Sequence, residues 1–320
     1  MTANSFGSIF HITSFGESHG KALGVIIEGC PAGIPFDFEL LQQWMQRRRP
    51  GLGTLVSARN EADEMHVLSG VFEGKTLGTP IAMLVHNTDT RSEDYQQIKI
   101  SPRLGHADDV WRAKFGHVDH RGGGRSSGRE TVSRVMAAAV AEMLVKKLAP
   151  EVSVQGNLTQ VGPLHLPQDE AKLEQLLTKA KEEGESFGGV VEVLVSALPV
   201  GLGQPVFHKL KSDFAAAVMS VGATTSFEFG DGVEAGGQKG TAFHDAKTTA
   251  QYGGIRGGLS TGEPISMRIS FKPTSSILDV AKKGRHDPCI AIRGLPVVEA
   301  MVWLVLADHL LWRRLDCVSG

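Results

Sequence analysis

The chain has 320 residues, with 33 lysines and arginines against 35 aspartates and glutamates, and it contains 38 glycines. This near-neutral charge argues against nucleic acid as a partner, and the length suits one large domain or two ordinary ones. Three cysteines without a CxxC pair favour a reducing cytoplasm over a disulfide framework or a thiolate zinc site. The longest apolar run, residues 301–307, is too short to span a bilayer, so we expect a soluble protein without a membrane partner.

The apolar pattern predicts helices and strands that interleave along the chain. The predicted elements, in chain order, are a strand at 23–28, a helix through 40–45 after an Asp37 cap, a strand at 80–85, a helix at 132–148, a helix at 173–183 that Gly184 ends, a strand at 190–197, a helix at 207–218, a strand at 265–271 and a helix at 297–315. The absence of a strict strand–helix–strand rhythm favours α+β layers over a doubly wound parallel sheet. No internal repeat or low-complexity linker divides the chain, which predicts a single domain over residues 1–320.

Two short patterns imitate known functional motifs. Residues 16–20 match G-x-S-x-G, which would make Ser18 a hydrolase nucleophile, but that motif joins a strand to a helix and a strand-like segment follows here. Residues 70–76 are one residue short of a P-loop, and a turn and a strand follow them instead of a helix. We therefore expect neither a serine hydrolase nor a P-loop, and we expect a plain β-turn within 72–80.

Arginine and glycine are concentrated in residues 103–134. The glycines at 122–124 let the backbone approach a ligand closely, and Arg125 and Arg129 can add charge-assisted hydrogen bonds of about 1.5 to 3 kcal/mol each. A loop with an ordinary helix cap is the alternative, although the arginines favour an anion site. The arginines at 47–49 end a predicted helix, where they either complement the helix dipole or bind an anion.

His19 and His106 each lie in a turn of small residues beside polar partners. Histidine suits proton transfer near neutral pH because its ordinary pKa is about 6.5, and a histidine that satisfies local hydrogen bonds is the alternative for each. Neither has the histidine or cysteine spacing typical of a metal site, so we expect no metal. The residues therefore predict a pocket for a multiply anionic small molecule, with histidines as acid and base candidates.

Five segments, 16–31, 105–111, 120–135, 272–277 and 283–293, together resemble the chorismate synthase family. The resemblance implies a carbon–oxygen lyase that forms chorismate from 5-enolpyruvylshikimate 3-phosphate by anti-1,4-elimination of phosphate and the C6 proton. This is the last step of the shikimate pathway, which supplies aromatic amino acid biosynthesis. The resemblance also implies a single β-α-β sandwich domain, a cytoplasmic homotetramer, and reduced FMN (FMNH2) as a cofactor without net redox change, with NADPH as a candidate reductant.

The resemblance further implies roles for individual residues. His19 would donate a proton to the leaving phosphate, His106 would protonate the reduced flavin, and Ser18 with Asp287 would form the relay for the C6 hydrogen. The implied FMN-binding residues are Arg125, Ser126, Ser127, Gly222, Ala223, Gly257, Lys272, Pro273, Thr274, Ser275, Ser276 and Arg285. The implied contacts of the substrate or of NADP are Arg48, Arg49, Arg103 and Arg129.

The chain departs from the usual family pattern at several positions. Thr54 and its neighbours stand where many relatives carry another arginine, Leu104 replaces a proline, Gly222 replaces an asparagine, and segment 277–283 is short. If the usual longer segment covers the flavin, we expect weaker FMN binding here. The alternative function is a catalytically impaired homologue that binds FMN or a phosphorylated metabolite.

Overall fold

The first β-sheet is built from the N-terminal part of the chain. The computed structural model describes residues 3–49, 63–87, 105–119, 121, 123–244, 249–275, 277–278 and 287–316. The strands of the first sheet are β1 (Ser5–Phe6), β2 (His11–Gly16), β3 (Ala22–Glu28), β4 (Met65–Val67) and β7 (Ile81–His86). They are antiparallel in the order β1-β2-β3-β7-β4. The predicted strands at 23–28 and 80–85 are confirmed as β3 and β7.

A small hairpin, β5 (Val71–Phe72) and β6 (Lys75–Thr76), accounts for the P-loop-like segment. Phe72 pairs directly with Lys75 across a turn in which Glu73 and Gly74 both have positive φ. A two-residue turn of this kind joins antiparallel strands and leaves no helix N-terminus for a phosphate. The predicted β-turn is therefore confirmed.

The second sheet is built from β8 (Ser153–Val161), β9 (Leu164–His165), β10 (Gly189–Ser196), β11 (Thr224–Phe229) and β14 (Ile265–Phe271). Its order is β11-β14-β10-β8-β9, and every neighbouring pair is antiparallel. Alternate residues of β10 and β14 are buried, and Val193 lies opposite Met267. This alternation gives the sheet one apolar face, as period-two patterning requires. A separate hairpin pairs β12 (Ile255–Arg256) with β13 (Leu259–Ser260).

The helices confirm most of the predicted start and stop signals. Asp37 accepts a hydrogen bond from the Leu40 amide at 2.9 Å and caps the first helix, and Gly184 ends the fourth at φ +75°. The helices are α1 (Phe38–Arg48), α2 (Asp108–Phe115), α3 (Thr131–Leu148), α4 (Glu170–Glu183), α5 (Leu210–Met219), the short α6 (Gly240–Phe243) and α7 (Ile290–Asp316).

Two apolar helices fill the space between the sheets. Helix α3 packs on β3 of the first sheet, α7 packs on β8 and β10 of the second, and the two helices pack on each other. The buried hydrophobic residues of both sheets and these helices form one cluster. This arrangement confirms the expected α+β β-α-β sandwich, and we propose on its basis that the chain is one domain.

Helix α7 differs most from its prediction. It begins at Ile290 rather than at Val297 and contains Pro296, so the helix continues through a residue that usually stops one. Burial of Ala291, Gly294 and Pro296 among the sheets and α3 explains the extension, because tertiary packing outweighs local propensity. Among the described residues α7 alone is long and apolar enough to cross a membrane, yet most of its apolar stretch is buried as a core helix.

A partly buried hydrogen bond between α1 and α3 leads to a prediction about how stability depends on pH. Glu142 on α3 accepts a hydrogen bond from the Trp44 indole at 2.7 Å, and burial raises the pKa of its carboxyl above the usual value despite this bond and nearby cations. The folded state thus binds this proton more tightly than the unfolded chain, so the carboxyl costs stability as pH rises through its folded pKa.

Glu142→Gln keeps the acceptor for Trp44 and removes the ionisation. We expect the free energy of unfolding of the variant, relative to that of the wild type, to increase as pH rises from about 4 to about 7. Urea titrations at several pH values measure it. A difference that does not change with pH would contradict the role assigned to this carboxyl.

Candidate active site

The G-x-S-x-G segment is the turn of the β2–β3 hairpin. Gly16 pairs with Leu23, and its φ of +89° together with the Ala22 carbonyl, which would lie 2.1 Å from a Cβ, requires glycine there. The Asn87 side chain donates hydrogen bonds to the carbonyls of Glu17 and Gly20 and holds the turn. Because an antiparallel strand follows instead of a helix, the nucleophile elbow is excluded, as predicted.

Two of the predicted acid and base residues lie in this turn. Ser18 is fully buried and His19 is 5% exposed, and Ser18 Oγ lies 3.1 Å from His19 Nδ1. His19 lines a large cavity between the two sheets, whereas Ser18 does not. The Ser18 hydroxyl is therefore placed to orient the His19 ring beside the cavity.

The glycine- and arginine-rich loop ends in two 3-10 turns that lead into α3. Arg125 donates to the Ser14 hydroxyl at 2.6 Å and to the Gly16 carbonyl at 3.2 Å, so it ties the loop to β2. The Ser127 hydroxyl accepts from the Arg129 amide at 3.3 Å, as a helix cap does. The helix cap is therefore confirmed, and because the same residues line the cavity, the anion site stays a prediction.

The arginines at 47–49 have separate partners. Arg47 pairs with the buried carboxylate of Glu299, and Arg49 is the C-cap residue of α1. Arg48 reaches the cavity and pairs with Asp63 at 3.1 Å, and Arg129 binds the other Asp63 oxygen at 2.5 Å.

Burial and the charges of Arg48, Asp63 and Arg129 determine the pKa values of Arg48 and Asp63. Desolvation lowers the pKa of Arg48 to about 10, although Asp63 opposes the shift. Burial by itself would raise the pKa of Asp63, but the guanidinium groups of Arg48 and Arg129 outweigh it and hold that pKa below its usual value. Asp63 is therefore ionised at neutral pH.

The opposite wall comes from residues far along the chain. His106 Nδ1 lies 2.7 Å from Asp108 Oδ1, and Lys272 donates to the Gly105 carbonyl at 3.2 Å. Asp287 accepts from Arg293 at 2.8 Å, and its backbone carbonyl accepts from the Thr274 hydroxyl at 3.3 Å. These bonds fix the ends of β14 and α7 beside His106.

The cavity has a volume of about 770 Å³, which is in the range of small-molecule sites. Most of the predicted site residues line it: His19, Arg48, His106, Arg125, Ser126, Ser127, Arg129, Gly222, Ala223, Lys272, Pro273, Thr274, Ser275 and Asp287. Three predicted residues, Ser18, Arg49 and Gly257, are described but are not part of its lining. Thr54, Arg103, Leu104, Ser276, Arg285 and most of the short segment 277–283 lie outside the described residues.

The chain is similar to known proteins over nearly its whole length. The family model for chorismate synthase matches residues 10–311. A chorismate synthase of Bdellovibrio bacteriovorus is 59% identical over 99% of both chains, and one of Ruegeria pomeroyi is 43% identical over 98% of this chain and 97% of that one. The chain belongs to the chorismate synthase family. A crystal structure of a chorismate synthase agrees in fold, with a TM-score of 0.78 and 27% identity over 96% of this chain and 93% of that one.

Membership of the chorismate synthase family makes the protein a carbon–oxygen lyase that acts on a phosphate, in the shikimate pathway. Lyase chemistry of this kind fits a cavity with arginines for anions and histidines for protons. Among the described residues there is no group of histidine, cysteine and carboxylate side chains that could hold a metal ion.

The family also implies a flavin, and the residues present fit one. A Cβ added to Gly222 would meet no atom within 4 Å, so the backbone borders open space inside the cavity. Lys272 and the hydroxyls of Ser126 and Ser127 line the same cavity and suit a phosphate. Open space beside backbone, with a cation and hydroxyls on the same cavity, suits an FMN.

Among the lining residues that the sequence prediction missed, Asp63 and Arg293 are the ones that hold predicted site residues. Asp63 lies in an ordinary acidic segment, and nothing local marks it as the partner of two arginines. Arg293 lies within a segment that carries the family resemblance, and it received no role. One signal could have found both residues: a buried arginine requires a carboxylate partner, so each predicted arginine or aspartate of the site calls for a residue of opposite charge.

Proposed function

We propose that the protein converts 5-enolpyruvylshikimate 3-phosphate to chorismate and phosphate by anti-1,4-elimination, with reduced FMN bound and without net redox change. The observation that carries this proposal is the joint presence of His19, His106, Arg48, Arg129 and Lys272 around one cavity. In the reaction the C3–O bond to phosphate breaks, the C6 proton leaves, and a new double bond completes the diene. The family supports the substrate class, and the cavity supports its charge.

The cations of the cavity suit the anionic substrate. The substrate carries a phosphate and two carboxylates, and guanidinium groups bind both kinds of group through paired hydrogen bonds. We assign Arg48 and Arg129 to these anions, and Arg49 and Arg103 to the substrate or to NADP as the family implies. Burial of Arg48 and Arg129 strengthens such contacts because the local dielectric is low.

The proton-transfer roles follow the positions of the acids and bases. We assign His19 to protonate the leaving phosphate oxygen, with the Ser18 hydroxyl orienting its ring at Nδ1. Asp287, which Arg293 holds at 2.8 Å, is assigned together with Ser18 to the path of the C6 proton. His106, which Asp108 orients at Nδ1, is assigned to hold a proton beside the cofactor.

The residues proposed to hold FMN are Arg125, Ser126, Ser127, Gly222, Ala223, Gly257, Lys272, Pro273, Thr274, Ser275, Ser276 and Arg285. When bound, the reduced flavin supplies an electron-rich ring that can lend electron density to an allylic phosphate, which no side chain can do. Lys272 and the loop hydroxyls would bind its phosphate, and the backbone at Gly222 would face the flat ring. Gly257 is the described member of this set that does not line the cavity.

Gly222→Leu tests the flavin assignment without disturbing the core. Its side chain would enter open cavity space, so we expect at least a tenfold loss of FMN affinity and an unchanged melting temperature. FMN fluorescence quenching and thermal unfolding measure the two quantities. Gly236→Leu is the matched control, because Gly236 also has open space but lies away from the cavity. Equal FMN affinity in both variants would remove Gly222 from the site.

The activity itself is tested by one anaerobic assay. The enolpyruvyl substrate and photoreduced FMN are mixed with the protein, and chorismate absorbance and phosphate release are followed together. Equal amounts of both products support the proposal. Binding of FMN and substrate without product would instead indicate the catalytically impaired homologue.

Three further assignments follow the family. We propose a cytoplasmic homotetramer, and we propose NADPH as a candidate reductant of the flavin. Sedimentation velocity measures the assembly, and anaerobic flavin bleaching by NADPH measures the reductase activity. A dimer, or flavin that stays oxidised with NADPH, would contradict the corresponding proposal.

A further inference from the structure

Asp63 occupies the arginine pair to which the substrate's anions are assigned. Its two carboxylate oxygens bind separate guanidinium groups, that of Arg48 at 3.1 Å and that of Arg129 at 2.5 Å. The exposed fractions of the three side chains are 2% for Arg48, 3% for Arg129 and 1% for Asp63. In this arrangement the two arginines present almost no surface to a molecule in the cavity.

The pair is not fully satisfied by this single carboxylate. Arg48 Nε is buried and has no hydrogen-bond partner among the described residues, and Arg48 Nη1 reaches only the Thr131 hydroxyl, at 3.4 Å. Among the described charges that act on Arg48, Asp63 is the one carboxylate, whereas Arg129 and Arg293 are both cations. A ligand with more acceptor oxygens and more negative charge would complete both the hydrogen bonds and the charge balance.

The backbone of Asp63 also has an uncommon conformation. Its φ is +46°, in the left-handed region that residues other than glycine, asparagine and aspartate rarely adopt. Such a conformation persists where surrounding contacts hold it, and here the contacts are the two arginines. Release of the carboxylate would therefore also let this residue leave the left-handed region.

We propose that Asp63 is an internal competing anion that the substrate's phosphate displaces from Arg48 and Arg129, which makes Asp63 a specificity-determining residue. The inference rests on the proposed substrate. A dianionic phosphate ester brings two negative charges to Arg48 and Arg129 where Asp63 brings one, so the exchange is favourable. A lone carboxylate replaces Asp63 with an equal charge and gains nothing, so the pair rejects monoanions by competition.

Sulfate binding provides a test that does not depend on turnover. Sulfate is a tetrahedral dianion, and its affinity is measured by calorimetry for the wild type and for Asp63→Asn, in which asparagine keeps the left-handed backbone and removes the charge. We expect about tenfold tighter sulfate binding in Asp63→Asn, and we expect the additional change Arg129→Gln to abolish that gain. Unchanged, weaker or absent sulfate binding in Asp63→Asn would overturn the proposal, because it would show that Asp63 only orients the arginines.

Glu299→Gln is the matched control. It removes another buried carboxylate from an arginine of the same helix, Arg47, but neither residue lines the cavity. We expect its sulfate affinity to stay within about twofold of the wild type. A gain equal to that of Asp63→Asn would assign the effect to net charge and would overturn the proposal.

A second measurement on the wild type covers a failure of Asp63→Asn to fold. Asp63 is 1% exposed, so carbodiimide coupling to an amine should leave it unlabelled in the free protein. Saturating sulfate should expose it, and peptide mass spectrometry should then find at least fivefold more label at Asp63. Labelling that sulfate does not increase would overturn the displacement. Failure of the chorismate assay alone would refute the proposed function and leave both measurements of the exchange valid.

Discussion

His19→Ala should reduce the rate of chorismate formation by about 10² to 10⁴, which is the usual contribution of a general acid. His19 lines the cavity, is nearly buried, and has its ring oriented by Ser18 at 3.1 Å. Loss of a proton donor leaves phosphate to depart unprotonated, so kcat should fall much more than KM rises. The assay is anaerobic chorismate absorbance at saturating FMN, repeated across pH.

His11→Ala is the control for this prediction. His11 lies on β2, close to His19 in sequence, but it pairs with Glu28 at 3.6 Å and does not line the cavity. We expect its rate to stay within about twofold of the wild type, as for a surface substitution. If His19→Ala kept the full rate, the leaving phosphate would need another proton donor, and His106 would be the next residue to test.

Asp308→Ala should destabilise the fold by on the order of 3 kcal/mol, the largest stability effect that we expect. The buried carboxylate of Asp308 accepts hydrogen bonds from three consecutive backbone amides, Ser8 at 2.9 Å, Ile9 at 2.6 Å and Phe10 at 2.9 Å. Truncation leaves these donors without an acceptor and releases the segment before β2 from α7. Urea unfolding followed by circular dichroism measures the free energy.

Asp169→Ala is the matched control for stability. Asp169 also accepts a backbone amide, from His165 at 3.1 Å, and binds Lys172 at 2.7 Å, but these groups are exposed. Because water replaces such contacts, we expect a much smaller loss than in Asp308→Ala. Equal losses in the two variants would show that the segment before β2 does not depend on Asp308.

Helix ends and strand alternation could be predicted because they depend on residues close together in the sequence. Asp37 and Gly184 bound their helices as expected, and β14 alternates as its sequence indicates. The predicted helix at 207–218 is shifted slightly, to Leu210–Met219. The strands β2, β8 and β11 were missed because their polar residues hide the alternation, and β8 is stabilised by pairing with β10 and by packing against α7. The helix α2, which is short and polar, was missed as well.

The sequence also indicated which residue types form the site, but it did not indicate which side chains contact each other there. Glycines, arginines and histidines in five segments identify the family and most of the cavity lining, because motif residues keep their order in the chain. Only the tertiary structure placed Asp63 between Arg48 and Arg129, left Ser18 behind His19, and set Arg293 on Asp287. The pair of Asp63 with Arg129 joins residues 66 positions apart, so it depends on how the two sheets pack on α3 and α7, and no local pattern encodes that packing.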